Sequence, residues 1–309
     1  MTMDKTMDKT PKKDSGAPAT NAAPKREDRH GLHWIDGAWV WGNPPIMGPM
    51  TNGAWMASVV FDGARAFDGV APDLDRHCER AVASARVLGL DPPVDAERIC
   101  ALAWDGIGQF KPGAALYIRP MFYAEEGFVS PKPETTRFVL TLFEAPMPEP
   151  RGFTAHLSRV RRPSPESAPT LAKASCLYPQ SARALREARA AGFGNAVVLD
   201  ANGNVAEFAT ANVFCAQGGV VMTPVPNGTF LDGITRQRVI GLLCNDGAEV
   251  VERSLAWDDL MAADEVFATG NYAKVTPCVQ LGERRMQPGT VFTRARALYF
   301  DWARSTRRP

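Results

Sequence analysis

Apolar and polar positions along this chain follow two periods, and the switches between them mark its elements. Around residues 34–40 an Asp-Gly pair (Asp36, Gly37) sits between two short apolar stretches, which predicts a hairpin. Residues 58–67 have strand character and break at Asp68-Gly69. Residues 75–88 carry apolar side chains at helical spacing and stop at Gly89, and a second helix is expected from about Val94. Two strand-like runs follow, 115–123 and 137–143.

The Pro-rich run 144–152 reads as a linker. It divides the chain into a smaller domain, 31–147, and a larger one, 148–309. Beyond it, Arg161-Arg162-Pro163-Ser164-Pro165 is expected to be loop, and 179–191 a helix closed by Gly192. Residues 196–199 and 205–208 flank the turn 200–203 as a hairpin, and 213–222 repeats the pattern around Gly218-Gly219. Thr235 is expected to cap a helix running to about Leu243, with a strand at 265–268 and an amphipathic helix at 294–304. Short strands and helices that do not strictly alternate give an α+β fold in two domains.

The total of 309 residues suffices for such a pair of cores, and a net charge of +1 without basic clusters gives no electrostatic case for nucleic acid or an anionic membrane. Residues 1–30 form a polar tail too poor in apolar groups to offset ordering entropy, so disorder is expected there, and the run is not a signal peptide. No apolar run is long enough to span a bilayer, so the expected location is cytoplasmic. Six scattered cysteines, without zinc spacing, read as buried thiols in a reducing compartment, with Cys176 a small core residue.

Candidate chemistry begins at Lys173, set among Ala, Ser, Leu and Cys. Burial there lowers an amine's pKa, which suits a lysine that forms an imine with an aldehyde and then shuttles a proton. Tyr178, five residues on, is either a cofactor hydrogen-bond partner or a structural tyrosine. Glu207, on a strand otherwise small and apolar, needs a cationic partner such as a pyridinium N–H, unless it is an edge carboxylate facing water. Gly233-Ile234-Thr235 before a helix offers amides, a hydroxyl and a positive dipole end to a phosphate, or simply a cap. Arg80 is either a further phosphate ligand or a solvent-facing helix residue.

In this order these residues resemble the class IV, or branched-chain, aminotransferases, pyridoxal-phosphate enzymes of fold type IV. Val60-Phe61-Asp62-Gly63-Ala64-Arg65 is similar to the family's Val-Phe-Glu-Gly-x-Arg, and His77 to Arg80 with Ser84-Ala85 to its phosphate-arginine helix. Tyr117-Ile118-Arg119-Pro120, Ala172-Lys173, Tyr178, Glu207 with Asn212-Val213-Phe214, Gly233 to Arg236 and Ala263 to Phe267 follow the same pattern. The resemblance implies Lys173 as the catalytic residue. It implies Arg80, Tyr178, Glu207, Asn212, Gly233, Ile234, Thr235 and Asn271 as further pyridoxal 5′-phosphate ligands. Phe61, Tyr117, Arg119, Tyr272 and Ala273 are implied around the substrate. A homodimer is implied too, passing an amino group from a small-molecule donor, an apolar branched-chain-like L-amino acid, to a keto acid such as 2-oxoglutarate.

Three departures bear on the substrate. Met56-Ala57 stands where relatives carry Tyr-Gly, and Gly270-Asn271-Tyr272 where they carry Gly-Thr-Ala. The linker is also shorter than the usual interdomain loop. These leave open a D-amino-acid or (R)-amine transaminase, or a lyase of the aminodeoxychorismate lyase type on the same scaffold.

Overall fold

The computed structural model describes residues 30–306. The expected disorder of the tail therefore falls outside the described residues, save for His30. In chain order the first strands are β1 (Gly31–Ile35) and β2 (Ala38–Gly42), then helix α1 (Asn52–Trp55), β3 (Val59–Phe61) and β4 (Ala64–Ala66). Helices α2 (Leu74–Val87) and α3 (Ala96–Ile107) follow, then the long strands β5 (Leu116–Ala124) and β6 (Thr136–Glu144). These strands form one antiparallel sheet in the order β2-β1-β6-β5-β3, with β4 also on β5. Asp36 (φ 50°) and Gly37 (φ 89°) make the two-residue turn that joins β1 to β2, both left-handed as such a turn requires. One face of the sheet (Ile118, Phe122, Leu140, Leu142) packs on Cys78, Ala81, Val82 and Ala85 of α2 and on Ile99 and Leu102 of α3.

Residues 145–152 carry no regular element and lead into the second sheet. Its elements are β7 (Phe153–Arg161), α4 (Tyr178–Ala190), β8 (Asn195–Leu199), β9 (Val205–Phe208), β10 (Asn212–Gln217) and β11 (Val220–Pro224). They continue with α5 (Ile234–Asn245), β12 (Val250–Arg253), α6 (Trp257–Ala262), β13 (Glu265–Gly270), β14 (Lys274–Leu281), β15 (Arg284–Arg285) and α7 (Thr290–Ser305). The order is β12-β11-β10-β13-β14-β7-β8-β9, with β15 on β14. Pairs β11–β12, β14–β7 and β7–β8 are parallel. Successive side chains of its middle strands go to opposite cores. Val213, Cys215, Val266 and Ala268 face one, with Leu255 and Leu260, while Phe214 and Phe267 face the other, under α5 and α7. The fold is thus a two-domain α+β arrangement.

Four expectations need correction. The run 58–67 is broken not only at Asp68-Gly69 but also at Asp62-Gly63, because the Asp62 carboxylate turns inward and takes the Gly63 N–H at 2.7 Å. Arg161 closes β7 rather than opening the loop. Thr235 is not a cap; Gly233 holds that position without a side-chain bond, and Thr235 lies in the first turn of α5. Cys176 is exposed, as is Cys244, whereas Cys78, Cys215 and Cys278 are buried. Central strand β14 went unforeseen because Pro277 lies inside it; its ladder to β7 is irregular just beyond, between Cys278 and Gln280.

Candidate active site

A cavity of about 440 Å³ opens between the two sheets, a size that suits a cofactor with a small substrate. Lys173 reaches it from the segment before α4. Both sides of its backbone are held, since its N–H donates to Ser84 Oγ of α2 at 3.0 Å and its carbonyl accepts the Phe61 N–H at 3.1 Å. The ammonium donates to Tyr178 Oη at 2.7 Å and lies 5.2 Å from the Phe61 ring centroid. Burial by itself lowers the Lys173 pKa, but the Tyr178 oxygen and the Asp62 carboxylate outweigh it and hold the amine above its ordinary value. This corrects the lowered pKa expected from sequence, where only burial was visible.

Asp62 organises the next wall. Its fully buried carboxylate accepts Arg80 Nε at 2.6 Å, Arg80 Nη2 at 2.9 Å and His77 Nδ1–H at 2.7 Å. Burial would raise its pKa, but Arg80 and His77 hold it far below the carboxylate range. Burial keeps His77 below its ordinary pKa despite Asp62, so the imidazole is a neutral donor. Arg80 lines the cavity; with two of its nitrogens on Asp62, its buried Nη1 is left without a partner among the described residues. The start of α5 faces the same space, and its first-turn amides have no intrahelical acceptor. Arg236 anchors that helix from behind, completely buried, through Asp232 (2.8 Å), Glu252 (2.5 Å) and the Pro224 carbonyl (2.8 Å). Asn212, at the foot of β10, donates to the Leu231 carbonyl at 3.0 Å and so fixes the loop before Gly233.

Glu207 projects from β9, its side chain 12% exposed, with Arg162 Nε at 3.3 Å. Burial pushes its pKa up to about 7, against the pull of Arg162 and Lys173. Tyr117 of β5, Gly63, Asn271 and Tyr272 close the remaining side. A side chain at Gly63 would put Cβ 2.2 Å from Tyr117 Oη, so only glycine leaves room for that phenol.

Twelve of the residues singled out in sequence therefore line one cavity: Phe61, Arg80, Tyr117, Lys173, Tyr178, Glu207, Asn212, Gly233, Ile234, Thr235, Asn271 and Tyr272. Two do not. Ala273 is outside the lining, and Arg119, two residues beyond Tyr117, lines a second cavity with Trp41, Lys111 and Thr141. Sequence reasoning missed Asp62, His77 and Arg162 as partners of the site residues. Asp62 stood in a quoted motif, but its grip on Arg80 exists only across space.

The donor set fits pyridoxal phosphate. Arg80 Nη1 and the α5 terminus offer unpaired N–H groups to a phosphate, Glu207 a carboxylate to a ring nitrogen, and Lys173 an amine to an aldehyde.

Comparison with known proteins agrees in family. The model of the amino-transferase class IV family matches residues 59–281. A probable branched-chain-amino-acid aminotransferase of Rickettsia bellii (strain RML369-C) is 33% identical over 245 residues, covering 78% of this chain and 84% of the relative. The branched-chain-amino-acid aminotransferase of Pseudomonas aeruginosa (strain PAO1) is 31% identical over 288 residues, 89% of this chain and 93% of the relative. Among solved structures, an aminotransferase from Brucella abortus bound to the co-factor PLP is 52% identical, with a TM-score of 0.88 over 89% of this chain and all of that one.

Proposed function

The chain belongs to the class IV aminotransferases, pyridoxal-phosphate-dependent enzymes of fold type IV, and from that premise we propose the following assignment of substrate and residues. The amino donor is an apolar, branched-chain-like L-amino acid and the acceptor a keto acid such as 2-oxoglutarate. Pyridoxal phosphate, when bound, supplies an aldehyde for amine capture and a ring that accepts electrons from the substrate α-carbon.

Lys173 would hold the aldehyde through its amine and, as a free amine, would take and return the proton at the substrate α-carbon. Its contact with Tyr178 Oη keeps the amine aimed while it is free. Glu207 holds a proton on the ring nitrogen. Arg80 Nη1, the Thr235 hydroxyl and the first amides of α5 bind the phosphate, with Asp62 fixing the guanidinium. Phe61 and Tyr117 wall the donor side chain, and Tyr272 stands at the rim. The observation that carries this reading is the convergence of Lys173, Glu207 and the Arg80–α5 pair on one cavity. Similarity to branched-chain aminotransferases supports the donor class.

The first test mixes purified holoenzyme with single donors, L-leucine, D-alanine and an (R)-arylamine, and follows the visible band of the bound cofactor. Loss of the band with L-leucine alone supports the assignment. Tyr272, in place of the family's smaller residue, favours a second reading in which only the D- or (R)-donor bleaches the protein. Pyruvate release without any acceptor would instead identify the lyase. A homodimer belongs to the same proposal, supported by exposed Met50, Trp55, Phe128 and Val129, which a second copy would cover; sedimentation tests it. So does a cytoplasmic location, which the buried thiols Cys78, Cys215 and Cys278 suit.

A further inference from the structure

Asp73 stands at the N-terminal cap of α2, where an aspartate ordinarily turns its carboxylate onto the first amides of the helix. It makes no such bond. Its backbone is left-handed (φ 56°, ψ 25°), and its buried carboxylate crosses instead to α5, which packs on the second sheet. There it accepts Arg238 on both oxygens, from Nη2 at 2.5 Å and from Nε at 3.3 Å. Arg238 is stacked in turn on Trp302 of α7, its guanidinium carbon 3.9 Å from the ring centroid. A forgone cap and a left-handed residue other than glycine both disfavour α2 locally, so the placement serves something beyond that helix.

A second link runs beside the first. Arg76, in the first turn of α2, lies 3.7 Å from the same carboxylate and donates through Nη2 to Gln237 Oε1 of α5. A guanidinium only donates, so it fixes the Gln237 amide with its oxygen toward α2 and its nitrogen free to bond elsewhere. That nitrogen donates to the Asp232 carbonyl at 3.2 Å, immediately before Gly233. Lys274, another cation on which Asp73 acts, bonds Asn271 Oδ1 at 2.9 Å instead. The two helices joined in this way are the two that form the phosphate site proposed above. Arg80 lies one turn beyond Arg76 on α2, and the amides after Gly233 open α5. Neither Asp73 nor Gln237 lines the cavity.

We propose that Asp73 and Gln237 are positioning residues for the cofactor phosphate. Asp73 holds α2 against α5 and Gln237 holds the loop that enters α5, so that Arg80 and the first α5 amides meet on one anion. The assignment rests on the phosphate site of the proposed function.

The test titrates the full-length chain, stripped of cofactor, with pyridoxal 5′-phosphate and with pyridoxal, the same aldehyde without the phosphate. Wild type is compared with Asp73→Gly, Gln237→Leu and the double variant. Glycine adopts the left-handed backbone freely and serves at an N-cap nearly as well as aspartate, so only the carboxylate is lost. Each single variant should weaken the phosphate ester about tenfold or more, and shift the phosphorus NMR resonance of the bound ester, while affinity for pyridoxal stays as in wild type. The double variant should lose less than the product of the two singles, because both act on one junction. Gln237→Leu, at a half-buried position, carries the same prediction by itself should Asp73→Gly fail to fold. Equal weakening of both ligands would overturn the proposal, since that is what a loosened fold produces, and so would wild-type affinity for the ester in both singles. Losses that multiply in full would overturn the shared junction. A wild type that held pyridoxal as tightly as the ester would overturn the phosphate site itself, and the positioning role with it.

Discussion

Glu207 carries the sharpest conflict between stability and chemistry. Burial raises its pKa to about 7, so between the ordinary carboxylate value and pH 7 the folded state holds more protons than the unfolded one. Stability therefore falls as pH rises through that window, by on the order of 3 kcal/mol in full, and the loss persists above it. A pyridinium N–H would offset the cost. Glu207→Gln stripped of cofactor should accordingly melt higher than wild type at pH 8 and close to it near pH 4.5, by calorimetry at both values. Its transamination rate should fall about 100-fold or more, since an amide does not hold the ring proton. A variant that gained no stability at pH 8 would refute the buried, charge-strained Glu207 described here.

Among the elements, α5 is the one on which the proposed phosphate site depends. Its axis is set by Arg236 from behind and its first turn by the fit of Gly233 against Asn212. A methyl at Gly233 would come within 2.1 Å of Asn212 Oδ1, although its backbone (φ −67°, ψ 133°) is open to any residue. Gly233→Ala should therefore act through contact and not backbone strain. It displaces Asn212 or the helix start at about 1–3 kcal/mol. We expect affinity for pyridoxal phosphate, by fluorescence titration, to fall about tenfold or more while the far-ultraviolet spectrum is retained. A Gly233→Ala protein that binds cofactor like wild type would show that the α5 terminus is not a phosphate donor. Sequence had placed Thr235 at the cap, because Gly-x-Thr before a helix reads equally well either way. Only the backbone path decides that Gly233 caps and Thr235 faces the cavity.

Across the whole molecule, Arg65 ties together what the chain order separates. It is fully buried and gives all three of its donor arms to carbonyls. Nε goes to Leu116 at 3.1 Å, Nη1 to Tyr272 at 2.9 Å and Nη2 to Ala145 of the linker. The first sheet, the connecting segment and the β13–β14 turn are thus held by one side chain. Arg65→Met would strand three carbonyls, each at about 1–3 kcal/mol. The melting temperature of the holoenzyme should drop by about 10 °C, and KM for the donor should rise because the Tyr272 turn loosens. Unchanged melting with raised KM would place Arg65 in substrate contact instead.

The sequence by itself determined the elements whose signals are local. The Asp36-Gly37 hairpin, the periodicity of α2 and the turn between β8 and β9 are written in neighbouring residues, because period and turn chemistry act over a few positions. It also marked Lys173, Glu207, Arg80 and the Gly233–Thr235 run, since an ordered set of chemically unusual residues survives being read in one dimension. What the tertiary structure alone decided are the partnerships. Asp62 gripping Arg80, Tyr178 and Asp62 lifting the Lys173 pKa, Arg162 beside Glu207, and Lys274 behind Asn271 all depend on burial and on the approach of groups from different elements. So does the separation of Arg119 from Tyr117 into different cavities, and the passage of β14, Pro277 included, through the middle of the larger sheet. Electrostatic and hydrogen-bond energies depend on distance and desolvation, and neither exists until the chain has packed.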